Sequence, residues 1–259
     1  FLLGGLILYI INKRKDTYEL IYENQIEIIG EKNKIFNPNL HIMKFNKPNI
    51  RADKRIGPHN KEIISVIIGS LLGSAYANRK SIEGIRIVYN KGREYKEYID
   101  YIYEKLNKQG YCTNLLPRKY IRERKKGDQI KEYIGYEFNT FTFRSLNWIH
   151  KIFYKNGKKV INPKIEKYID PLALAIWIQD DGGWTENGVR ISTNSLKLEE
   201  VQFIEKLLKK KFELNCTIQK IQIPDKYFIY IKIESIDKLR KIVLPYFHKS
   251  MYYKLGLKI

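Results

Sequence analysis

The chain is poor in the residues that build disulfide frameworks and metal centres. It has two cysteines and four histidines in 259 residues. Cys112 and Cys216 are far apart and form no CxxC pair, so neither a disulfide framework nor a zinc site is indicated, which fits a reducing compartment. The histidines are scattered, and each is interpreted as a structural or surface residue. No Ser-His-Asp arrangement and no phosphate-binding loop is recognisable.

Acidic residues are also scarce. The chain has 28 Asp and Glu against 48 Lys and Arg, a formal net charge of +20. This excess predicts a nucleic-acid partner, because each cation placed on a phosphate releases condensed counterions. The alternatives are an anionic membrane surface or a merely soluble basic protein. Hydrophobic residues make up 44% and aromatic residues 13%, which predicts a folded chain of one large or two small domains.

Long hydrophobic runs are missing. Residues 1–11 are almost wholly apolar and precede Asn12-Lys13-Arg14-Lys15, but a membrane span needs about 20 residues. We interpret this segment as the end of a longer membrane-spanning precursor, with a buried helix or a targeting segment as alternatives. The basic residues that follow complete an N-terminal extension, 1–60, which is predicted to wrap the main domain or to contact the ligand.

The remainder repeats itself. Glu-Lys-Leu precedes both Cys112 and Cys216 at a similar distance, and Ser145 and Ser235 each open a helical stretch. A Tyr-containing segment at 133–136 is matched with a similar one at 227–230. These matches in the same order predict an α+β fold of two duplicated halves, 61–160 and 161–259, related by a pseudo-two-fold axis.

Each half is predicted to contain helix, hairpin, helix, hairpin, helix, which is the order αββαββα. In the first half the periodicity predicts helices at 62–74 and 93–108 and a strand at 85–89. Strands are predicted at 112–122 and 131–142, on either side of a charged turn.

The first helix of each half contains small residues, and these predict a close helix–helix seam. Gly69 and Gly73 supply them in the first half, and Ala173 and Ala175 in the second. A tightly packed core helix is the alternative for either pair alone. With both pairs present, the C-terminal ends of the two helices are expected to meet at the pseudo-axis.

Chemistry is expected where these helices end. Two carboxylates meeting there would bind divalent cations, which can activate water and stabilise the leaving oxygen in phosphodiester hydrolysis. The second helix ends in Asp181, but the first ends in Ser74.

Residues 171–177, Pro-Leu-Ala-Leu-Ala-Ile-Trp, run into Asp180-Asp181-Gly182-Gly183-Trp184. With Glu199-Glu200, Cys216 and residues 251–255, this segment resembles the LAGLIDADG homing endonucleases in their two-motif, single-chain form, over residues 61–257. The resemblance implies a saddle of antiparallel sheets around two central helices. It also implies a metal-binding acidic residue at the end of each motif, with Asp181 matching one of them. Basic residues near the scissile phosphates are matched by Lys159 and Lys254, for which ordinary solvated lysines are the alternative.

Ser74 occupies the other acidic position. A neutral hydroxyl is a poor ligand for a shared Mg²⁺, and losing one electrostatic catalytic contact commonly costs a factor of about 10²–10³ in rate. Asp180 is the neighbouring carboxylate that offers partial compensation. We therefore expect double-strand DNA cleavage to be absent or very weak, with Mg²⁺ vestigial at the protein site but required by a partner RNA.

Nucleic-acid contacts are predicted on the hairpins. Strand alternation places Arg118, Tyr120, Arg122 and Arg124 on one face, which in the family covers the DNA major groove. A solvated outer face is the alternative. Further predicted contacts are Arg86, Lys125, Lys126, Arg190, Asn194 and Lys220. Loop 122–126 and extension 12–60 are the candidates for RNA contact.

The chain further resembles the maturases encoded within group I introns of fungal mitochondrial cytochrome b genes. This implies a monomeric RNA-binding cofactor in the mitochondrial matrix, with a precursor anchored in the inner membrane. Its partner would be group I intron RNA, with an additional protein splicing factor as a further partner. The alternatives are an active intron-homing endonuclease, which cuts or nicks a double-stranded DNA target, and a structural component of a ribonucleoprotein.

Overall fold

The computed structural model describes residues 50–52, 55, 59–81, 84–126 and 129–258. The apolar segment 1–11 and the basic extension up to residue 49 lie outside these residues, so the predictions made for them stay predictions. Among the helices of the described part, none is long and apolar enough to cross a membrane.

Two halves of the same element order follow one another along the chain. The first half contains α1 (Lys61–Leu72), β1 (Tyr76–Ser81), β2 (Gly84–Gly92), α2 (Lys96–Lys108), β3 (Arg118–Lys126), β4 (Gln129–Asn139) and α3 (Asn147–Phe153). A short hairpin follows, made of β5 (Tyr154–Lys155) and β6 (Lys158–Lys159). The second half contains α4 (Pro171–Asp181), β7 (Gly182–Thr185), β8 (Gly188–Ser192), α5 (Leu198–Phe212), β9 (Cys216–Lys220), β10 (Tyr227–Lys232) and α6 (Ile236–Val243).

The two halves also share their sheet topology. Each half forms a four-stranded antiparallel sheet, in the orders β1-β2-β4-β3 and β7-β8-β10-β9. The predicted α+β fold of two αββαββα halves is therefore confirmed. The exact domain boundaries stay a prediction.

The strand predicted at 112–122 was wrong in its start. Gly110 has a positive φ of 75° and reverses the chain after α2, and Pro117 has no N–H to donate to a ladder. Strand β3 therefore begins at Arg118 and extends with β4 through most of the predicted charged turn.

The predicted match of residues 133–136 in the first half with 227–230 in the second was also wrong in register. Tyr76 pairs with Val88 and Gly183 pairs with Arg190 at equivalent places beyond the two motif helices. The next strand pairs Val88 with Asn139 and Arg190 with Tyr230. Strand pairing therefore places Tyr230 at the position of Asn139, three residues beyond the one that the tyrosine pattern predicts.

Helices α1 and α4 form the centre of the molecule. Residues 63–72 of α1 and 172–179 of α4 are all buried, as expected for helices that are apolar on every side. The Asn60 side chain accepts the Glu62 N–H at the start of α1, and the Asp170 carboxylate accepts the Ala173 N–H at the start of α4. Each cap satisfies a backbone donor that the helix itself leaves unpaired.

Small residues bring the backbones of the two central helices into contact. A Cβ added to Gly69 would lie 2.4 Å from the Ala173 carbonyl oxygen and 2.8 Å from Ile176 Cβ. One added to Gly73 would lie 2.4 Å from Asp180 Cβ. Ala175 is also buried, but the atoms nearest to the two glycines belong to Ala173, Ile176 and Asp180. Since no larger side chain fits, these glycines set the distance between the helices.

Candidate functional site

The C-terminal ends of α1 and α4 meet at Gly73, Ser74 and Asp180. The last turn of α1 is closed by the Gly73 N–H on the Gly69 carbonyl, and Ser74 follows as an exposed residue. Helix α4 ends at Asp181, where the Gly182 N–H binds the Ile178 carbonyl. The structure therefore brings the two motif ends to one place.

Asp180 is the residue that joins the motif ends. One carboxylate oxygen lies 2.8 Å from Lys91 Nζ. The other accepts the Ser74 backbone N–H at 3.2 Å and the Ser74 hydroxyl at 3.4 Å. Because the Asp180 side chain is 3% exposed and engaged on both oxygens, it holds the seam together and is not available as a replacement ligand.

Two further lysines bind the carbonyl groups at the helix ends. Lys159 Nζ donates to the Gly73 and Ala75 carbonyls at 2.9 and 3.0 Å. Lys254 Nζ donates to the Gln179 and Asp180 carbonyls at 2.5 and 3.1 Å. Cations are favourable here because the helix dipole places partial negative charge on these carbonyls. Lys254 is 4% exposed and Lys159 is half-buried, so neither is an ordinary solvated lysine.

Local structure holds Lys159 in place. The hairpin that carries it turns through Asn156 and Gly157, both with positive φ, which is the backbone of a tight two-residue hairpin. Tyr154 at its start accepts the Ala77 N–H with its hydroxyl at 2.9 Å. This bond fixes the hairpin to strand β1, next to the end of α1.

Lys254 is held by the chain that follows α6. It lies in a 3-10 helix, Lys249–Leu255. The buried Gln179 side chain donates to the Tyr246 carbonyl at 3.2 Å and accepts the His248 N–H at 2.7 Å. These bonds fasten the C-terminal segment to the last turn of α4.

Burial is the main influence on the ionisable groups of this centre. Burial and the neighbouring Asp180 raise the pKa of Asp181 to about 6, against the opposing effect of Lys91, Lys159 and Lys254. Burial and the neighbouring Lys91 lower the pKa of Lys254 to about 8, against Asp180 and Asp181. Burial also lowers the pKa of Lys159. Three ammonium groups thus surround two carboxylates, an excess of positive charge.

The residues present do not fit a divalent ion shared by the motif ends. Mg²⁺ prefers oxygen ligands, chiefly carboxylates and water, in octahedral geometry. Ser74 donates its hydroxyl proton to Asp180, and Asp180 is occupied by Lys91. This leaves Asp181 as the one available carboxylate of the two motif ends. In the described part of the chain, no group of three His, Cys, Asp or Glu side chains could hold a metal.

Lys91 was not identified from the sequence. It lies on β2, where Ile85, Ile87 and Tyr89 are buried at every second position. Lys91 continues this alternation, and its side chain is 14% exposed. A lysine in register with three core residues was the available signal that it enters the interior.

The predicted basic face lies along the edge strand β3. Arg118, Tyr120 and Arg122 pair in the ladder with Glu137, Gly135 and Tyr133, so they share one face of the sheet. The Arg118 and Arg122 guanidinium groups lie 2.5 and 3.6 Å from the Glu137 carboxylate. One carboxylate thus organises two arginines, whose side chains stay 78% and 56% exposed.

The end of β3 contains the remaining predicted residues of this hairpin. Arg124 pairs with Lys131 and Lys126 with Gln129. Lys125 pairs with Ile130, which places it on the face opposite to Arg122. Strand parity therefore separates Lys125 from the basic face.

The other predicted contacts are distributed over both sheets. Arg86 pairs with Asn78 on β1 and is half-buried. Arg190 is exposed, with its guanidinium 5.1 Å from the centre of the Phe228 ring, and Asn194 is exposed in the turn after β8.

Lys220 lies on a different face from Arg190. Lys220 pairs with Tyr227 of β10, whose side chain is on the same sheet face as that of the fully buried Ile229. Arg190 pairs with Tyr230, which is on the opposite face, together with Phe228. Lys220 is exposed at the end of β9, but not beside Arg190. The role of each of these residues in nucleic-acid binding stays a prediction.

Comparison with known proteins indicates a family of DNA endonucleases. A model of the LAGLIDADG DNA endonuclease family matches residues 64–239. The chain is similar to intron-encoded endonuclease ai4 of Dictyostelium discoideum, with 54% identity over 158 residues that cover 61% of this chain and 99% of that protein.

Cytochrome b mRNA maturase bI2 of Saccharomyces cerevisiae is 38% identical over 229 residues, 85% of this chain and 53% of that protein. The chain thus spans about half the length of this relative. The solved structure of the homing endonuclease I-WcaI bound to its DNA recognition sequence is similar with a TM-score of 0.70 at 27% identity. The match covers 87% of this chain and 100% of that one.

Proposed function

Because the chain belongs to the LAGLIDADG DNA endonuclease family, we propose that it uses the scaffold of a nuclease without its double-strand cleavage. It acts as a maturase, which binds and stabilises the group I intron RNA that encodes it and promotes self-splicing of a mitochondrial pre-mRNA. Transesterification is left to the RNA, which also requires Mg²⁺. The chain works as a monomer in the mitochondrial matrix, with or without a second protein splicing factor.

One observation carries this proposal. Ser74, which stands where the family resemblance implies a second acidic residue, donates to Asp180, and Asp180 is paired with Lys91. A centre with one available carboxylate and three lysines binds phosphates better than divalent cations. The similarity to cytochrome b mRNA maturases of two yeasts, at 38% and 35% identity, supports a role in RNA splicing.

A specific observation favours a second candidate. Asp181, Lys159 and Lys254 are all in place around the motif ends, and the chain is similar to an intron-encoded endonuclease and to a DNA-bound homing endonuclease. The alternative is therefore a site-specific DNA endonuclease that cuts or nicks the intronless allele.

Splicing of the intron that encodes the chain tests the first proposal. We expect the reaction at physiological Mg²⁺ to require the protein. Equal splicing rates with and without the protein would contradict a maturase function.

Cleavage of the intronless DNA target separates the two candidates. We expect no double-strand cutting by the native chain or by Ser74→Ala, which removes the hydroxyl without adding a charge. Ser74→Asp adds the missing carboxylate, and we expect its cleavage rate to rise by about 10²-fold or more, with Mg²⁺ binding detectable by calorimetry. Robust double-strand cutting by the native chain would refute the loss of activity and favour the second candidate.

A further inference from the structure

A basic groove lies at the end of the molecule away from the motif ends. It has a volume of about 620 Å³ and is lined by Pro163, Lys164, Glu166, Lys167, Lys210 and Lys211. Its walls are the 3-10 helix Pro163–Tyr168, which leads into α4, and the last turn of α5. Because α4 rises about 1.5 Å per residue, its 11 residues place the groove about 15 Å or more from Asp181.

The groove has a strong excess of positive charge. Four of its lining residues are lysines and one is a glutamate. That glutamate, Glu166, lies 3.5 Å from Lys210 Nζ, and its carbonyl accepts from Lys211 Nζ at 2.7 Å. The neighbouring Asp170 accepts the Ala173 N–H and the Ser65 hydroxyl and also interacts electrostatically with Lys211, so four lysines face two carboxylates.

The type of side chain indicates which ligand fits. Lysine ammonium groups on flexible stems act as point charges for phosphates, whereas base recognition favours arginine forks or stacked aromatic rings. Among the residues that the structure describes, those lining the groove include neither an arginine nor an aromatic side chain. The groove therefore suits a phosphate backbone that is recognised by shape, as double-helical RNA is.

A second surface at this distance also discriminates between RNA and DNA. Duplex DNA has a persistence length of about 150 bp, so bending a duplex that lies on the two sheets around to the far end of α4 is energetically costly. A folded RNA consists of several helices and can present phosphates to two sides of a protein. We propose that this groove is a second binding surface, which holds a double-helical segment of a folded RNA while the sheets contact another part. This inference rests on the RNA-binding function proposed above.

Removal of charge from the groove tests the inference. The variant Lys164→Gln/Lys167→Gln/Lys210→Gln removes three of its cations and leaves Lys211, which is bonded to the backbone. The matched control is Lys108→Gln/Lys241→Gln/Lys258→Gln, which removes the same charge from three exposed lysines outside the groove and outside both sheets. Circular dichroism and thermal melting establish that both variants fold.

Binding is measured against salt for two probes, the intron RNA that encodes the chain and a duplex of its intronless DNA target. Each lost phosphate contact lowers the slope of log K against log salt by about 0.7–0.9. We expect the groove variant to lose about two units of slope and at least about tenfold in affinity for the RNA. Its affinity for DNA, and both affinities of the control variant, should change less than about twofold.

The possible failures are distinct. If the native chain does not bind the intron RNA, the proposed function itself is refuted. If it binds and the groove variant behaves like the control, only the groove inference is wrong. An equal loss for DNA would show a general polyanion surface. Polyglutamate serves as a third probe, and loss of its binding with RNA binding retained would assign the groove to an acidic protein instead.

Discussion

The ion pair between Lys91 and Asp180 provides the sharpest test of how the motif ends are held. Replacing Lys91 with Met keeps the length and apolar character of the stem and removes only the charged group. The Asp180 carboxylate, whose side chain is 3% exposed, is then left with the two donors of Ser74. The variant therefore creates a buried carboxylate without its closest cation.

The expected loss is large for a single substitution. Removing one partner of a buried ion pair typically costs about 3–5 kcal/mol, because the remaining charge stays buried and unpaired. Lys254 is still close enough to interact with Asp180, and the Ser74 N–H still donates. We therefore expect the lower end, a decrease of about 3 kcal/mol in the free energy of unfolding.

Urea denaturation at neutral pH measures this loss. The control is Lys96→Met, which breaks another Lys–Asp pair, that with Asp100, whose side chains are 47% and 30% exposed. Exposed pairs contribute about 0–1 kcal/mol. The double variant Lys91→Met/Asp180→Asn should recover part of the loss, since it removes the orphaned charge. If Lys91→Met costs no more than Lys96→Met, the assignment of Asp180 to the seam is wrong.

Two further predictions concern the same seam. We expect Gly69→Ala to destabilise the fold by about 1–3 kcal/mol in urea, because its Cβ would lie 2.4 Å from the Ala173 carbonyl. Gly183→Ala, which would meet no atom within 4 Å, should change stability by less than about 0.5 kcal/mol, and equal losses would count against close helix contact. The pKa of Asp181 is raised to about 6 from an ordinary value of about 4, so its contribution to stability is present below about pH 4 and is lost as pH rises through 6. Relative to the native chain, Asp181→Asn should thus become more stable across this window; a difference in melting temperature that stays constant from pH 4 to 7 would contradict the raised pKa.

Local patterns in the sequence were sufficient for much of the fold. The repeated elements predicted two αββαββα halves, because a duplicated segment keeps its own periodicity and turns. The small residues Gly69 and Gly73 predicted the close contact of the central helices, since only a missing side chain allows two backbones to approach this closely. The strand start at Arg118 was missed, because the sequence was rich in strand-forming residues well before Pro117.

The sequence also predicted Ser74 as the departure from a paired-carboxylate site, because that prediction depends only on which residue stands at the end of a motif. The rest of the centre depends on tertiary structure. Lys91 lies 17 residues after Ser74 and 89 residues before Asp180 in sequence, and only the packing of β2 against the helix ends brings its ammonium group to Asp180. The lysine groove arises in the same way, from the approach of α5 to the segment before α4. Two charged side chains that are separated along the chain interact only when the fold brings them close together. Composition therefore predicted a polyanionic partner but not the places at which the lysines gather.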